Sequence, residues 1–232
     1  PAAIDPRKGP DSFPVEAGSD PSPPRPFLTD QSITRRFLAM VRPREFDRDA
    51  ALERATQLFW AKGFAATSTD SLVKEMGIGR QSLYNAFGDK RQLYLQVLQS
   101  YRERSLSGHL QRLTTPASPL SGISDLLSGL AATDDDVRAL GCLGVGSVGE
   151  FGTSDPELQR LNESASAWMC SRIATRIREG QKIGEIAPGF DADEAARFVL
   201  LTMTGLQLAA RSGASIADIQ QLAAFAVARL KA

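Results

Sequence analysis

The chain has 232 residues, with 27 Lys/Arg against 27 Asp/Glu, and so carries no formal net charge. Two cysteines, Cys142 and Cys170, and a single histidine, His109, are too few for a disulfide framework, a metal site or a Ser-His-Asp triad. The longest apolar run, Phe198–Met203, is far short of a membrane span and no signal peptide is visible, so a soluble cytoplasmic protein with no cofactor and no membrane contact is expected.

Residues 1–40 are unlike the rest. Pro1–Pro26 holds eight of the 13 prolines among Ser, Gly and Asp, with neither helical nor strand period. Such a segment cannot bury enough apolar surface to offset its ordering entropy, which predicts disorder. Met40 is a candidate start, in which case the segment before it is not native. Val41–Asp47 is a short arm whose Arg42 and Arg44 could reach phosphates or a minor groove.

Asp49–Lys62 has Ala51, Leu52, Ala55, Leu58 and Phe59 at amphipathic spacing and stops at Gly63. After the loop AATS, Thr67 or Ser68 can cap a helix over Ser68–Met76, whose Leu72, Val73 and Met76 share one face. Gly77-Ile78-Gly79 breaks it, and Arg80–Phe87 resumes helical spacing with Leu83 and Phe87 on the buried side. Arg80, Gln81, Ser82, Tyr84 and Asn85 lie opposite, a hydrogen-bonding face with no core role. Two short helices joined by a tight turn in this way form a helix-turn-helix, whose second helix enters the DNA major groove. Charge distribution agrees. Residues 41–104 hold 11 Lys/Arg against 8 Asp/Glu, a net of +3, and residues 105–232 hold 11 against 14, a net of −3.

The ordered set Phe-x-x-x-Gly-Phe, Thr-Ser, Met-Gly-Ile-Gly, Ser-Leu-Tyr-x-x-Phe and Lys-x-x-Leu over Arg42–Tyr101 resembles the TetR-type transcriptional regulators. No stretch alternates with period two over a useful length, so an all-α fold is expected, and the resemblance implies the same. A helix-turn-helix domain over residues 41–89 is followed by a helical effector-binding and dimerisation domain over 90–232. Its expected function is that of a dimeric one-component regulator, a repressor released from a pseudo-palindromic double-stranded operator by a small-molecule effector. Arg80, Gln81, Ser82 and Asn85 would contact base edges. Thr67, Tyr84 and Lys90 would hold phosphates, and Ser68 belongs to the same DNA-facing set. Gly79 departs from the family pattern, where a capping Ser is more usual. Control by a protein partner or by oxidation of Cys142 is the alternative. A helical enzyme finds no support in the single histidine.

The second half reads as further helices. They fall at Arg91–Leu113, Leu120–Ala132, Asp135–Leu140, a glycine-rich segment Gly141–Gly152, a helix opened by Asp155-Pro156 and running to Gly180, Asp193–Arg211 and Ile216–Leu230. His109 falls in a polar stretch and reads as a surface residue. The glycine-rich segment could be a buried helix in which small residues permit close backbone approach. The last two helices are apolar around more of their circumference than one intrachain face requires. Phe198, Leu201, Leu206, Leu222 and Val227 are therefore candidate dimer contacts. Leu126, Leu143, Phe151, Trp168, Met169 and Met203 are candidate walls of a mainly hydrophobic effector cavity.

Overall fold

The computed structural model describes residues 46–232, which are helical throughout apart from one isolated antiparallel bridge between Ile186 and Lys231. The predicted disorder of residues 1–40 and the arm residues Arg42 and Arg44 lie outside the described residues. Three helices form the N-terminal unit: α1 (Arg48–Lys62), α2 (Thr69–Met76) and α3 (Arg80–Phe87). A 25-residue helix, α4 (Lys90–Thr114), leads out of it. There follow α5 (Pro119–Ser128), α6 (Asp135–Leu140), α7 (Leu143–Phe151), α8 (Pro156–Lys182), α9 (Ala192–Arg211) and α10 (Ile216–Ala228). Among the described residues no helix is long and apolar enough to cross a membrane.

Helix starts are set by side-chain caps. Asp47 accepts from the amides of Asp49 and Ala50, and Ser68 from that of Ser71. Asp89 and Gln92 form a reciprocal capping box at the head of α4. Asp155, followed by Pro156, accepts from the amides of Glu157 and Leu158. Gly79 opens α3 with no side-chain cap, as its missing side chain requires.

Two apolar cores result. The first joins Ala55, Phe59, Leu72, Met76, Leu83 and Phe87 to Leu93, Tyr94, Val97 and Leu98 of α4, and takes in Leu143 of α7 and Leu158 of α8. The second runs from Leu113 through α5, α8, α9 and α10 to Leu230. The division between cores thus falls within α4, and the two long-range additions to the first core bind the bundle to the N-terminal helices. Phe59 and Tyr94 pack edge to face at 5.0 Å, and Phe64 meets Tyr94 and Phe151 at 5.1 Å each.

Candidate nucleic-acid interface and effector cavity

The turn between α2 and α3 depends on Gly77, whose φ of 69° lies in the left-handed region that a side chain disfavours. Its amide bonds back to the Val73 and Lys74 carbonyls, and Ile78 is buried beneath the turn. With Leu83 and Phe87 also buried, α3 is clamped by its inner side. Arg80, Gln81, Tyr84 and Asn85 are exposed on the other side, and Ser82 is half-buried. The Gln81 amide donates to Asn85 Oδ1 at 2.9 Å. Arg80 pairs with the Asp70 carboxylate, both groups being well exposed. Such a surface pair is worth no more than about 1 kcal/mol, so it is easily exchanged for a nucleic-acid acceptor.

Two expectations for this face need revision. The side chain of Thr67 is buried and its hydroxyl donates to the Gly63 carbonyl at 2.6 Å, because the residue closes the loop after α1. It has no free donor for a phosphate. Ser68 is exposed, but its oxygen is engaged as the cap of α2. At the head of α4, Asp89 accepts the Gln92 amide at 2.8 Å. Lys90 places its ammonium 4.2 Å from the centre of the Phe64 ring and remains half-buried.

A cavity of about 390 Å³, open to solvent past the exposed Val148 and Leu208, lies between α4, α7, α8 and α9. Met169 and Met203 line it, together with Leu106, Val145, Val148 and Leu200. The other four predicted walls lie elsewhere. Leu126 is fully buried in the second core, and Leu143 in the first. Phe151 belongs to the aromatic cluster around Tyr94. Trp168 packs against the second core with the Arg172 guanidinium over its ring.

Polar residues that sequence reasoning passed over also face the cavity: Arg102, Ser105, His109, Asn162, Thr204 and Gln207. A signal for the first three was present. Leu98, Arg102, Ser105, His109 and Leu113 recur at helical spacing on one face, with buried leucines at both ends. His109 is therefore half-buried rather than a surface residue. Burial, and then the neighbouring Arg112 charge, lower its pKa to about 4 and keep it neutral. Its ring nitrogens lie 3.1 Å from Ser105 Oγ and 3.3 Å from Arg112 Nη1. Cys142 sits at the cavity edge as the N-cap residue of α7. A larger concavity, about 730 Å³, lies between α3, α4 and α8 and is walled mostly by polar residues such as Gln92, Gln96, Gln99 and Arg160. Its mixed lining lacks the apolar enclosure of a small-molecule site.

The glycine-rich segment is a helix, but not a buried one. Gly144 and Gly149 border the cavity, Val148 is exposed, and neither Gly146 nor Gly149 has a neighbour where a Cβ would project. The glycines leave room instead of admitting a backbone. One residue on, Glu150 accepts from the amides of Phe64 at 2.7 Å and Ala65 at 3.1 Å. Gly63 makes this possible, since a Cβ there would stand 2.7 Å from the Glu150 carboxylate. Arg91 adds a second tie, bidentate to Asp155 at 2.8 and 2.9 Å and to Glu157 at 2.9 Å. That pairing, chiefly the hydrogen bonds from Arg91, lowers the Asp155 pKa to about 2.

On α9 and α10 the exposed apolar residues are Phe198, Leu201, Leu208, Leu222 and Phe225. Leu206, expected among the dimer contacts, is buried in the second core, because it lies on the opposite side of α9 from Leu201 and Leu208. Val227 is partly buried against the same core.

Comparison with known proteins places this arrangement. Residues 51–97 match the family described as bacterial regulatory proteins, tetR family, and residues 126–228 match the tetracyclin repressor-like C-terminal domain. The chain is 31% identical over 185 residues to the HTH-type transcriptional repressor ComR of Escherichia coli K12, covering 78% of this chain and 88% of that protein. It is 34% identical over 170 residues to the uncharacterized regulator YezE of Bacillus subtilis 168, covering 73% and 87%. Among solved structures, a cysteine-substituted form of the TetR family regulator CifR, complexed with 26-bp double-strand operator DNA, superposes with a TM-score of 0.68 at 30% identity, covering 81% of this chain and 98% of that one. With an exposed polar face on its helix-turn-helix and relatives matched over most of their length, the chain belongs to the TetR family of transcriptional regulators and is not an enzyme.

Proposed function

We propose that the protein is a dimeric repressor that holds a pseudo-palindromic operator through two copies of α3 and releases it when a small molecule enters the cavity. Arg80, Gln81 and Asn85, with Ser82 behind them, read base edges, while Tyr84 and Lys90 hold phosphates. The exposed apolar face of Phe198, Leu201, Leu222 and Phe225 supports pairing of two copies through α9 and α10. One recognition helix spans only a few base pairs, and two-fold pairing supplies the second half-site about one helical turn away.

The observation that carries the regulatory part is α7. Gly144, Val145 and Gly149 face the cavity, and Glu150 of the same nine-residue helix grips the loop that leads into α2. A ligand that favours a shifted α7 moves that grip and with it the helix-turn-helix, lowering DNA affinity by linkage. Footprinting on the DNA upstream of its own gene tests the reading. Protection of an inverted repeat by a dimer is expected, and a monomer without a footprint overturns it. Glu150→Ala should leave the dimer intact while weakening the response of DNA affinity to any cavity ligand.

A further inference from the structure

We propose that the cavity takes an organic acid, a largely apolar small molecule whose single carboxylate pairs with Arg102. This rests on the reading of the cavity as the effector site. Arg102 is half-buried, and its Nη1 is buried with no hydrogen-bond partner among the described residues. Other arginines of the bundle find carboxylates, Arg91 with Asp155 and Glu157, Arg104 with Glu53, Arg138 with Asp135 and Arg176 with Glu179, although Arg176 Nε is also buried without a partner. Among the described residues no carboxylate pairs with Arg102, and no Asp or Glu lines the cavity.

The cavity therefore carries one formal charge, a cation. His109 stays neutral there because of its lowered pKa. Burial pulls the Arg102 pKa down as well, yet a guanidinium remains protonated at any working pH. A half-buried guanidinium without a counter-charge is partly desolvated, and an incoming carboxylate offsets that penalty with charge-assisted hydrogen bonds. Space for it exists beside the guanidinium. At Gly144 the helix has no side chain, and a Cβ placed there would come within 3.8 Å of Arg102 Nε and 3.5 Å of Cys142 Sγ. Ser105 and Asn162 add hydrogen-bonding groups, while Leu106, Met169, Leu200 and Met203 receive the apolar body. At roughly 30 Å³ per non-hydrogen atom, by analogy with liquid water, 390 Å³ holds about a dozen such atoms. One unpaired cation matches a monoanion, whereas a phosphate dianion would bring a second charge into apolar walls.

The test uses the full chain with octanoate and 4-phenylbutyrate as acids, octanamide and 4-phenylbutyramide as neutral isosteres, octylamine as the cation and phenyl phosphate as the dianion. Calorimetric titration and thermal melting should show binding of the acids, with the amides at least tenfold weaker and the amine and the phosphate silent. Arg102→Met should weaken the acids roughly ten- to a hundredfold, the loss expected for a charged hydrogen-bonded contact. Without ligand, the same variant should melt no lower than the parent, because it removes a half-buried charge that has no carboxylate partner. Arg102→Lys should keep the acid preference at reduced affinity, and carries the comparison if the Met variant does not fold. Amides that bind as well as the acids, tighter binding of phenyl phosphate, or an Arg102→Met variant that keeps its acid preference overturns the proposal while leaving the effector cavity standing. If no compound of any class binds, both the proposal and the effector reading fall.

Discussion

In the N-terminal unit, apolar residues are inside and polar ones outside: Phe59, Leu72, Leu83 and Phe87 are buried, and Arg80, Gln81, Tyr84 and Asn85 face solvent. The bundle inverts this order at two places. On α9 and α10, Phe198, Leu201, Leu208, Leu222 and Phe225 are outside, and on α4 the polar Arg102, Ser105 and His109 turn inward. A small unit that only needs to present a rigid helix can satisfy its own chain completely. A unit that, as proposed, pairs with a second copy and admits a ligand leaves some groups unsatisfied, and those groups mark that work.

Charge on α9 should break this contrast most sharply. Leu206→Glu places a carboxylate in the second core and should cost several kcal/mol, unfolding the bundle. Leu201→Glu, on the exposed face, should leave the melting of a monomer unchanged but dissociate a dimer, because the charge occurs twice across a two-fold interface. Analytical ultracentrifugation beside thermal melting separates the two, and a Leu201→Glu protein that still sediments as a dimer would rule out this face as the interface.

The inward polar face of α4 has a pH signature. His109 has a folded pKa of about 4, below its ordinary value of 6.5. The unfolded chain therefore binds the proton first as pH falls. Stability should be greatest above pH 6.5 and decline toward pH 4, by up to about 3 kcal/mol from this residue. His109→Gln should flatten that part of the stability profile, measured by urea denaturation across the range. An unchanged profile would mean that the ring is solvated.

The outward polar face of α3 should answer to DNA alone. Asn85→Ala or Arg80→Ala should cost roughly 1–3 kcal/mol on the preferred site and relax preference at one position. Lys90→Ala should weaken all sequences about equally and lower the salt slope by about one. None of the three should shift the melting temperature much, since each residue is exposed or half-buried. The smallest effect is expected on α7. Gly146→Ala, with open space at its Cβ position, should stabilise the helix by roughly 0.5–1 kcal/mol, readable in chemical denaturation.

Local pattern carried the helix-turn-helix far. The spacing of Leu72, Met76, Leu83 and Phe87, the break at Gly77 and the caps all act within a few residues, so their consequences can be read along the chain. Composition and helical period were likewise enough for the all-α class and for the position of every helix in the bundle to within a few residues. Hydrophobic character alone did not separate wall from core. Leu126, Leu143, Phe151 and Trp168 are as apolar as Met169 and Met203, and only their packing into the two cores keeps them out of the cavity wall.

The order of helices, their caps and the polar face of α3 were thus determined by the sequence itself, because each depends on neighbours one or two turns away. The two cores that divide within α4, the grip of Glu150 on the Phe64 and Ala65 amides, the choice of Leu201 over Leu206 as an outward residue and the unpaired Arg102 were decided by tertiary structure. They bring together groups distant in sequence, 86 residues apart for Phe64 and Glu150, and whether a charge finds a partner or a side chain finds a neighbour depends on how whole helices pack.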